Sequence, residues 1–200
     1  MYVPEKWQLK DLTEIHAFIH RYSFVTIVSP SLQASRVPVV FEPENNCLIG
    51  HLARTNPHWR ELEQQECLVV IDGPHAYISP TWYQQVPNVP TWNYASIHIK
   101  GRACLSNEKE NHEGLNKLMA KYEPSLLANK TVVTDEYQQK LSKGIVGFKI
   151  DIQHIDAKAK LGQHRSNADQ QGVVNGLTID NSAQSQALLL LMQSLQLGLG

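Results

Sequence analysis

Between Ser23 and Arg54 three extended segments follow one another with only turns to join them. Ser23-Phe24-Val25-Thr26-Ile27-Val28 is dense in β-branched and aromatic residues, which pack well on a pleated surface. Val37 to Phe41 and Cys47 to Arg54 follow, with the turn formers Glu42-Pro43-Glu44-Asn45-Asn46 between them. Links this short suit hairpins, whereas a parallel pair needs a long crossover, usually a helix. An α/β layer of alternating strands and helices is therefore the wrong architecture for this chain.

The rest of the sequence keeps to the same plan. Cys67-Leu68-Val69-Val70-Ile71 reads as a fully buried strand, Gly73-Pro74 as a break, and His75 to Ser79 as extended structure resumed. Prolines at 80, 87 and 90 mark a loop. Trp92 to Leu105 alternates along its length, with Gly101 as a bulge or bend, and Ile145 to Ile155 sets Val146, Phe148, Ile150 and Ile152 on one face. Helical spacing is confined to short pieces: Leu12, Ile15, Ile19 and Tyr22 behind the cap Asp11, a turn from Pro57, Leu115 to Tyr122, and Thr134 to Lys143. The pattern predicts a mainly β chain with flanking helices, its antiparallel sheet closed into a barrel.

Composition narrows the class. With 200 residues and 42% hydrophobic content the chain is globular, and its net charge of −1 argues against a broad nucleic-acid surface. Cys47, Cys67 and Cys104 fit no metal or redox spacing and read as reduced thiols of a cytoplasmic protein. His16 and His20 stand one helical turn apart, but two ligands rarely make a metal site, so they are read as surface histidines and no metal is assigned. No signal peptide and no membrane span are expected. From Ser182 to Gly200 there is no charge but much leucine, a helix to be buried against the body or a partner subunit; membrane-surface helices usually carry the Lys or Arg it lacks.

Four stretches are rich enough in chemistry to form a site. In the first, Arg54 closes a strand, Asn56 stands at an N-cap and Pro57 at the first helical position, an arrangement of charge and free N–H groups that attracts phosphate. The second places His75, Tyr77 and Ser79 on one strand face, with Trp82 and Tyr83 beyond. The third is Val89-Pro90-Thr91-Trp92-Asn93-Tyr94. Aromatic faces with a few fixed polar groups suit a planar ligand, although rings of this kind serve as readily in a core. The fourth, Lys158 to Arg165, concentrates positive charge in a basic loop open to solvent or to a phosphate partner. No Gly-rich phosphate loop, nucleophile elbow or zinc-protease motif is present, and no catalytic residue is assigned.

These stretches, in this order, resemble one family. Met1-Tyr2-Val3-Pro4, Gly50-His51-Leu52-Ala53-Arg54-x-Asn56-Pro57, Gly73-Pro74-His75-Ala76-Tyr77-x-Ser79-Pro80-x-Trp82-Tyr83, Val89 to Tyr94, Ile145-Val146-Gly147-Phe148 and the basic stretch ending at Arg165 are similar to the PaiB-like FMN-binding negative transcriptional regulators. The resemblance spans roughly residues 1–175 and leaves the Leu-rich tail, 176–200, as an extension. It implies a split β-barrel, related to pyridoxamine phosphate oxidases and flavin reductases, that holds FMN in clefts between the subunits of a homodimer. By the same resemblance Arg54 and Asn56 contact the phosphate, and His51, Leu52 and Ala53 pass along the flavin or ribityl chain. His75, Tyr77, Trp92 and Asn93 belong to the cofactor site, and Lys160, Gln163 and Arg165 close it. Three positions depart from the family pattern: Ala157 replaces Gly, Gly162 replaces Ser and His164 replaces Asn.

The resemblance implies a transcriptional regulator or a flavin-dependent redox protein. DNA binding draws no support from the sequence, which has no helix-turn-helix pattern. The alternatives are a haem-handling split barrel, with His75, His154 or His164 as axial ligand, and a regulator that has lost its cofactor.

Overall fold

The structure is a computed structural model, and residues 1–129 and 131–200 are described. Six strands close into a barrel in the order β1-β2-β3-β6-β5-β4. They are β1 (Phe24–Val28), β2 (Ala34–Glu42), β3 (Cys47–Ala53), β4 (Glu66–Ile78), β5 (Thr91–Leu105) and β6 (Ile145–Lys160). The helices are α1 (Leu12–Arg21), α2 (Glu108–Tyr122), α3 (Ser125–Ala128), α4 (Asp135–Ser142), α5 (Asn167–Asp180) and α6 (Ala183–Leu195). β1 runs antiparallel to β2 and β4, β2 to β3, and β3 to β6. The hairpin order expected of the β1–β3 region is therefore present.

The chain divides into two compact units, one of residues 1–15, 72–97 and 156–200, the other of 16–71 and 98–155. The second unit holds most of the sheet. Its alternation is visible in burial: Val146, Phe148, Ile150 and Ile152 of β6 are all buried, as are Val25 and Ile27 of β1. Gly101 sits where β6 passes closely, since a Cβ there would collide with the Asp151 carbonyl and the Ile150 side chain. α1 buries Ile15, Phe18 and Ile19, while Leu12 is exposed, so its apolar face is turned from the one the 12–15–19–22 spacing predicts.

The first unit contains the ends of the long strands and the C-terminal helices. Gly73-Pro74 does not interrupt β4, which runs unbroken from Glu66 to Ile78. Proline's fixed φ suits an extended chain, and only a ladder donor is lost. β6 likewise continues to Lys160, so the start of the basic stretch is strand rather than loop; the small buried Ala157 and Ala159 take alternate positions there. α5 runs across residue 175, and Asn181, in the left-handed conformation at φ 48°, turns the chain into α6. α6 packs on α5 and buries Leu188, Leu191 and Met192. No helix among the described residues is long and apolar enough to cross a membrane.

Candidate functional site

Arg54 leaves β3 and is immediately engaged. Its backbone N–H donates to Gly144 O, its Nε to Lys143 O and its Nη2 to Ile145 O, each at 2.8 Å. One arginine thus latches three successive carbonyls where α4 gives way to β6. Trp59 Nε1 donates in turn to Arg54 O at 3.0 Å. The segment after Asn56 is a single 3-10 turn, Pro57–Glu61, and too short to sum peptide dipoles into the partial charge that a longer helix offers an anion. Asn56 does cap it: Oδ1 accepts from His58 N at 3.1 Å, and Nδ2 donates to Ser35 Oγ at 3.0 Å. Ser35 Oγ also meets His58 Nδ1 at 2.8 Å. Two guanidinium nitrogens of Arg54 and both polar atoms of the Asn56 amide are thus engaged within the chain. Beside it, Leu52 points into the core, Ala53 is exposed, and burial pushes the pKa of the half-buried His51 down.

The aromatic stretches build a different place, in the first unit. Along β4 the buried Ala76 and Ile78 alternate with His75 and Tyr77, which face outward. Trp92, near the start of β5, lies with its ring centroid 6.0 Å from His75 and 6.1 Å from Tyr77. Trp92 stays 53% exposed and Tyr77 48%, an unusual cost for rings that serve only a core. They border a cleft of about 320 Å³ with Trp82, Asp180 and Ser185, and His75 and Trp92 also line a neighbouring one of about 360 Å³ with Tyr94. Trp82 is seated against α5 by Gly172 and Gly176, where any side chain would run into it. At the cleft's edge Asp180 Oδ2 accepts from Ser182 Oγ (2.6 Å) and Ser185 Oγ (2.5 Å), bonds that hold its carboxyl below the usual range. Asn93 is buried and its side chain is not part of the open face.

Three of the predicted residues lie in the basic stretch. Lys160 Nζ donates to Thr91 Oγ1 (2.5 Å) and to Trp92 O (2.8 Å), tying the end of β6 to the start of β5. Gln163 bridges within the stretch: Nε2 donates to Ala159 O at 2.7 Å and Lys6 O at 3.3 Å, and Oε1 accepts from Leu161 N at 2.9 Å. Arg165 Nη1 donates to Asn88 Oδ1 at 2.8 Å, and its guanidinium lies 4.7 Å from the Tyr83 ring centroid. Gly162 sits at φ 84°, a conformation free of strain for glycine and costly for a residue with a side chain. Sequence reasoning overlooked Trp7, whose ring meets His164 edge-on at 5.8 Å and carries Lys158 and Lys160 within 5.5 Å of its centroid. Only an isolated tryptophan near the start of the chain hinted at it.

Residues 1–154 match the family described as "Putative FMN-binding domain". The chain belongs to that family. Its cofactor is accordingly FMN, in agreement with the resemblance carried by the motifs. Protease synthase and sporulation protein PAI 2 of Bacillus subtilis is 35% identical over 203 residues, covering 96% of this chain and 97% of that protein. An uncharacterised protein of Emericella nidulans is 31% identical over 189 residues, covering 74% of this chain and 75% of its own. Among solved structures, the flavocytochrome Anf3 from Azotobacter vinelandii matches at a TM-score of 0.63 and 14% identity, over 80% of this chain and 73% of that one. The FAD and heme binding protein from Mycobacterium smegmatis matches at 0.60 and 13%, over 78% and 74%. At such identities the likeness concerns the fold, a split barrel.

The residues present fit the group. Open aromatic rings beside a cleft suit an isoalloxazine, and cations and backbone-tied polar groups nearby suit a phosphorylated chain. The structure brings His75, Tyr77 and Trp92 together and links Lys160 to Trp92. His51, Leu52, Ala53, Arg54 and Asn56 belong to the other compact unit.

Proposed function

We propose that this chain is a cytoplasmic, homodimeric FMN-binding regulator or redox protein that receives the flavin ring on the His75–Tyr77–Trp92 face. The observation that carries this reading is the pair of large rings left half in solvent at a cleft of small-molecule size. A planar ligand laid there covers apolar area that is otherwise wet. Tyr77 and Trp92 stack and orient, His75 offers a ring nitrogen, and Lys160 fixes the backbone of Trp92. The end of β3 is the contribution of a second copy. There the His51 ring, the Ala53 backbone and Arg54 Nη1, the guanidinium nitrogen outside the latch, line the ribityl chain, while Leu52 and Asn56 hold that strand end in shape. When bound, FMN supplies hydride or electron transfer, and the protein supplies orientation and exclusion of water.

The regulatory part of the reading draws on the PAI 2 relative, whose name couples it to protease synthesis and sporulation. DNA contact has no further support here. The haem alternative rests on His75 alone, because it is the only one of the three candidate histidines that borders the aromatic clefts.

Titration with FMN and, separately, haemin decides between the cofactors. The account expects the visible flavin bands to shift with saturation while no Soret shift develops. Trp92→Leu weakens FMN by about tenfold or more, the worth of one good stacking contact. Unchanged affinity in Trp92→Leu removes the ring from this face.

A further inference from the structure

Around Trp7 the chain gathers positive charge without an answering negative one. Lys6 Nζ lies 4.7 Å from the Trp7 ring centroid, Lys158 Nζ 5.4 Å and Lys160 Nζ 5.5 Å. His164 packs edge-on against the same ring. Arg165 is close enough to join Lys6 and Lys160 in acting on His164. Among the described residues, no carboxylate lies within 4.0 Å of the charged nitrogens of Lys6, Lys158, Lys160 or Arg165. The nearby acids are committed. Glu5 pairs with Lys10, Asp156 with the Met1 amine, and the buried Asp169 accepts from the Gln84 and Gln85 N–H groups while feeling Arg165 only at a distance.

Such a cluster is expensive as it stands. Lys158 is buried, yet its ammonium has one long bond, 3.4 Å to Tyr2 O. The rings of Trp7, Tyr94 and Tyr2, at 5.2–6.0 Å, offset part of that cost through cation–π attraction but supply no counter-charge. Lys160 uses two of its three protons on Thr91 and Trp92, leaving one. The Trp7 Nε1–H is buried without a partner. Gln163 holds the arrangement together by accepting from Leu161 N while donating to Lys6 O and Ala159 O.

We infer that the Trp7 cluster of Lys6, Lys158, Lys160, His164 and Arg165 is the binding site for the phosphate group of a phosphomonoester. A doubly charged, oxygen-rich head supplies both the missing counter-charge and acceptors for the unused donors. Two further residues serve the cluster: Gly162, at φ 84°, makes the turn that follows Lys160, and His164 sets a ring that can carry a proton against Trp7. The inference deepens the flavin reading, since Lys160 joins the cluster to Trp92 and FMN is a phosphomonoester. It also reassigns the phosphate from Arg54, whose guanidinium is latched to two carbonyls, to a group of cations in which Lys158 keeps one long bond and Lys160 one unused proton.

Calorimetric titrations of the full chain with inorganic phosphate, FMN and riboflavin test it, with chloride at matched ionic strength as reference. Phosphate is expected to bind, to compete with FMN and to bind alongside riboflavin. Lys160→Met and the surface variant Lys6→Met each weaken phosphate and FMN about tenfold, roughly one charge-assisted hydrogen bond, and Lys6→Met, which lies off the flavin face, leaves riboflavin unchanged. Lys109→Met, an exposed cation elsewhere, changes none of them. Should Lys160→Met fail to fold, Lys6→Met carries the test alone. Phosphate heats equal to those of chloride, or FMN affinity indifferent to Lys6→Met and Lys160→Met, overturn the phosphate site and leave the flavin face standing. Phosphate binding that these variants abolish, in a protein that takes neither FMN nor riboflavin, sinks the flavin reading and keeps the site.

Discussion

Arg54 and the Trp7 cluster are both cationic and opposite in their state. Arg54 spends its Nε and Nη2 on carbonyls of residues 143 and 145. Lys6 and Lys158 rest on aromatic rings with no carboxylate in reach. A cation that has found acceptors within the chain is a fastener. One left with a single long bond, as Lys158 is with Tyr2 O, is an invitation to an anion. Residue type and position in a motif cannot separate the two cases; the partners do.

The largest effect that can break this contrast is on stability. Arg54→Met removes two charge-assisted bonds at the α4–β6 junction and is expected to cost about 2 kcal/mol, discounted for the arginine's exposure. Lys6→Met should stay within about 0.5 kcal/mol of the parent, as exposed substitutions usually do. Urea unfolding of both variants measures the difference. Equal midpoints, with Arg54→Met as stable as the parent, would mean the latch is decorative. Arg54→Lys sharpens the point: a single ammonium cannot reproduce the fork, so it should recover less than half of the loss.

Acid sensitivity comes next. Burial, and then Lys6, Arg165 and Lys160, push the His164 pKa below its ordinary value of about 6.5. The unfolded chain then binds more protons than the folded one as pH falls, so this contribution to stability is complete above about pH 6.5 and is lost as pH drops toward the folded pKa. His164→Gln should flatten the dependence of the unfolding free energy on pH between about pH 7.5 and about pH 5.5. An unchanged slope would show that the cations do not reach the ring.

The smallest effect is the most local. In the Arg54 region burial also depresses the His58 pKa, but Glu61 opposes it. Added phosphate should therefore raise the His164 pKa and leave that of His58 in place, followed by histidine ring resonances during a pH titration. Equal movement of both would point to general screening instead of a site.

Much of the barrel was legible because its signals are local. The period-two burial of Val146, Phe148, Ile150 and Ile152 is written in one strand, and the turn at residues 42–46 in another short run. Gly73-Pro74 misled because punctuation residues announce a turn only if nothing else holds the chain extended, and β4 is held. The aromatic face of His75 and Tyr77 followed from strand alternation, whereas its meeting with Trp92 did not. Arg54 finds its acceptors 89 and 91 positions away, and Lys158 reaches Tyr2 across 156. No window of sequence contains such pairs, which is why the carbonyl partners of Arg54 were not foreseen and Trp7 was passed over.

The most direct test of the whole account is an equilibrium titration of the purified chain with FMN, following quenching of the flavin's own fluorescence. The account predicts saturation at one flavin per chain and markedly weaker binding when Trp92→Leu replaces the parent. Flavin emission that stays as bright as in buffer across the titration would contradict it.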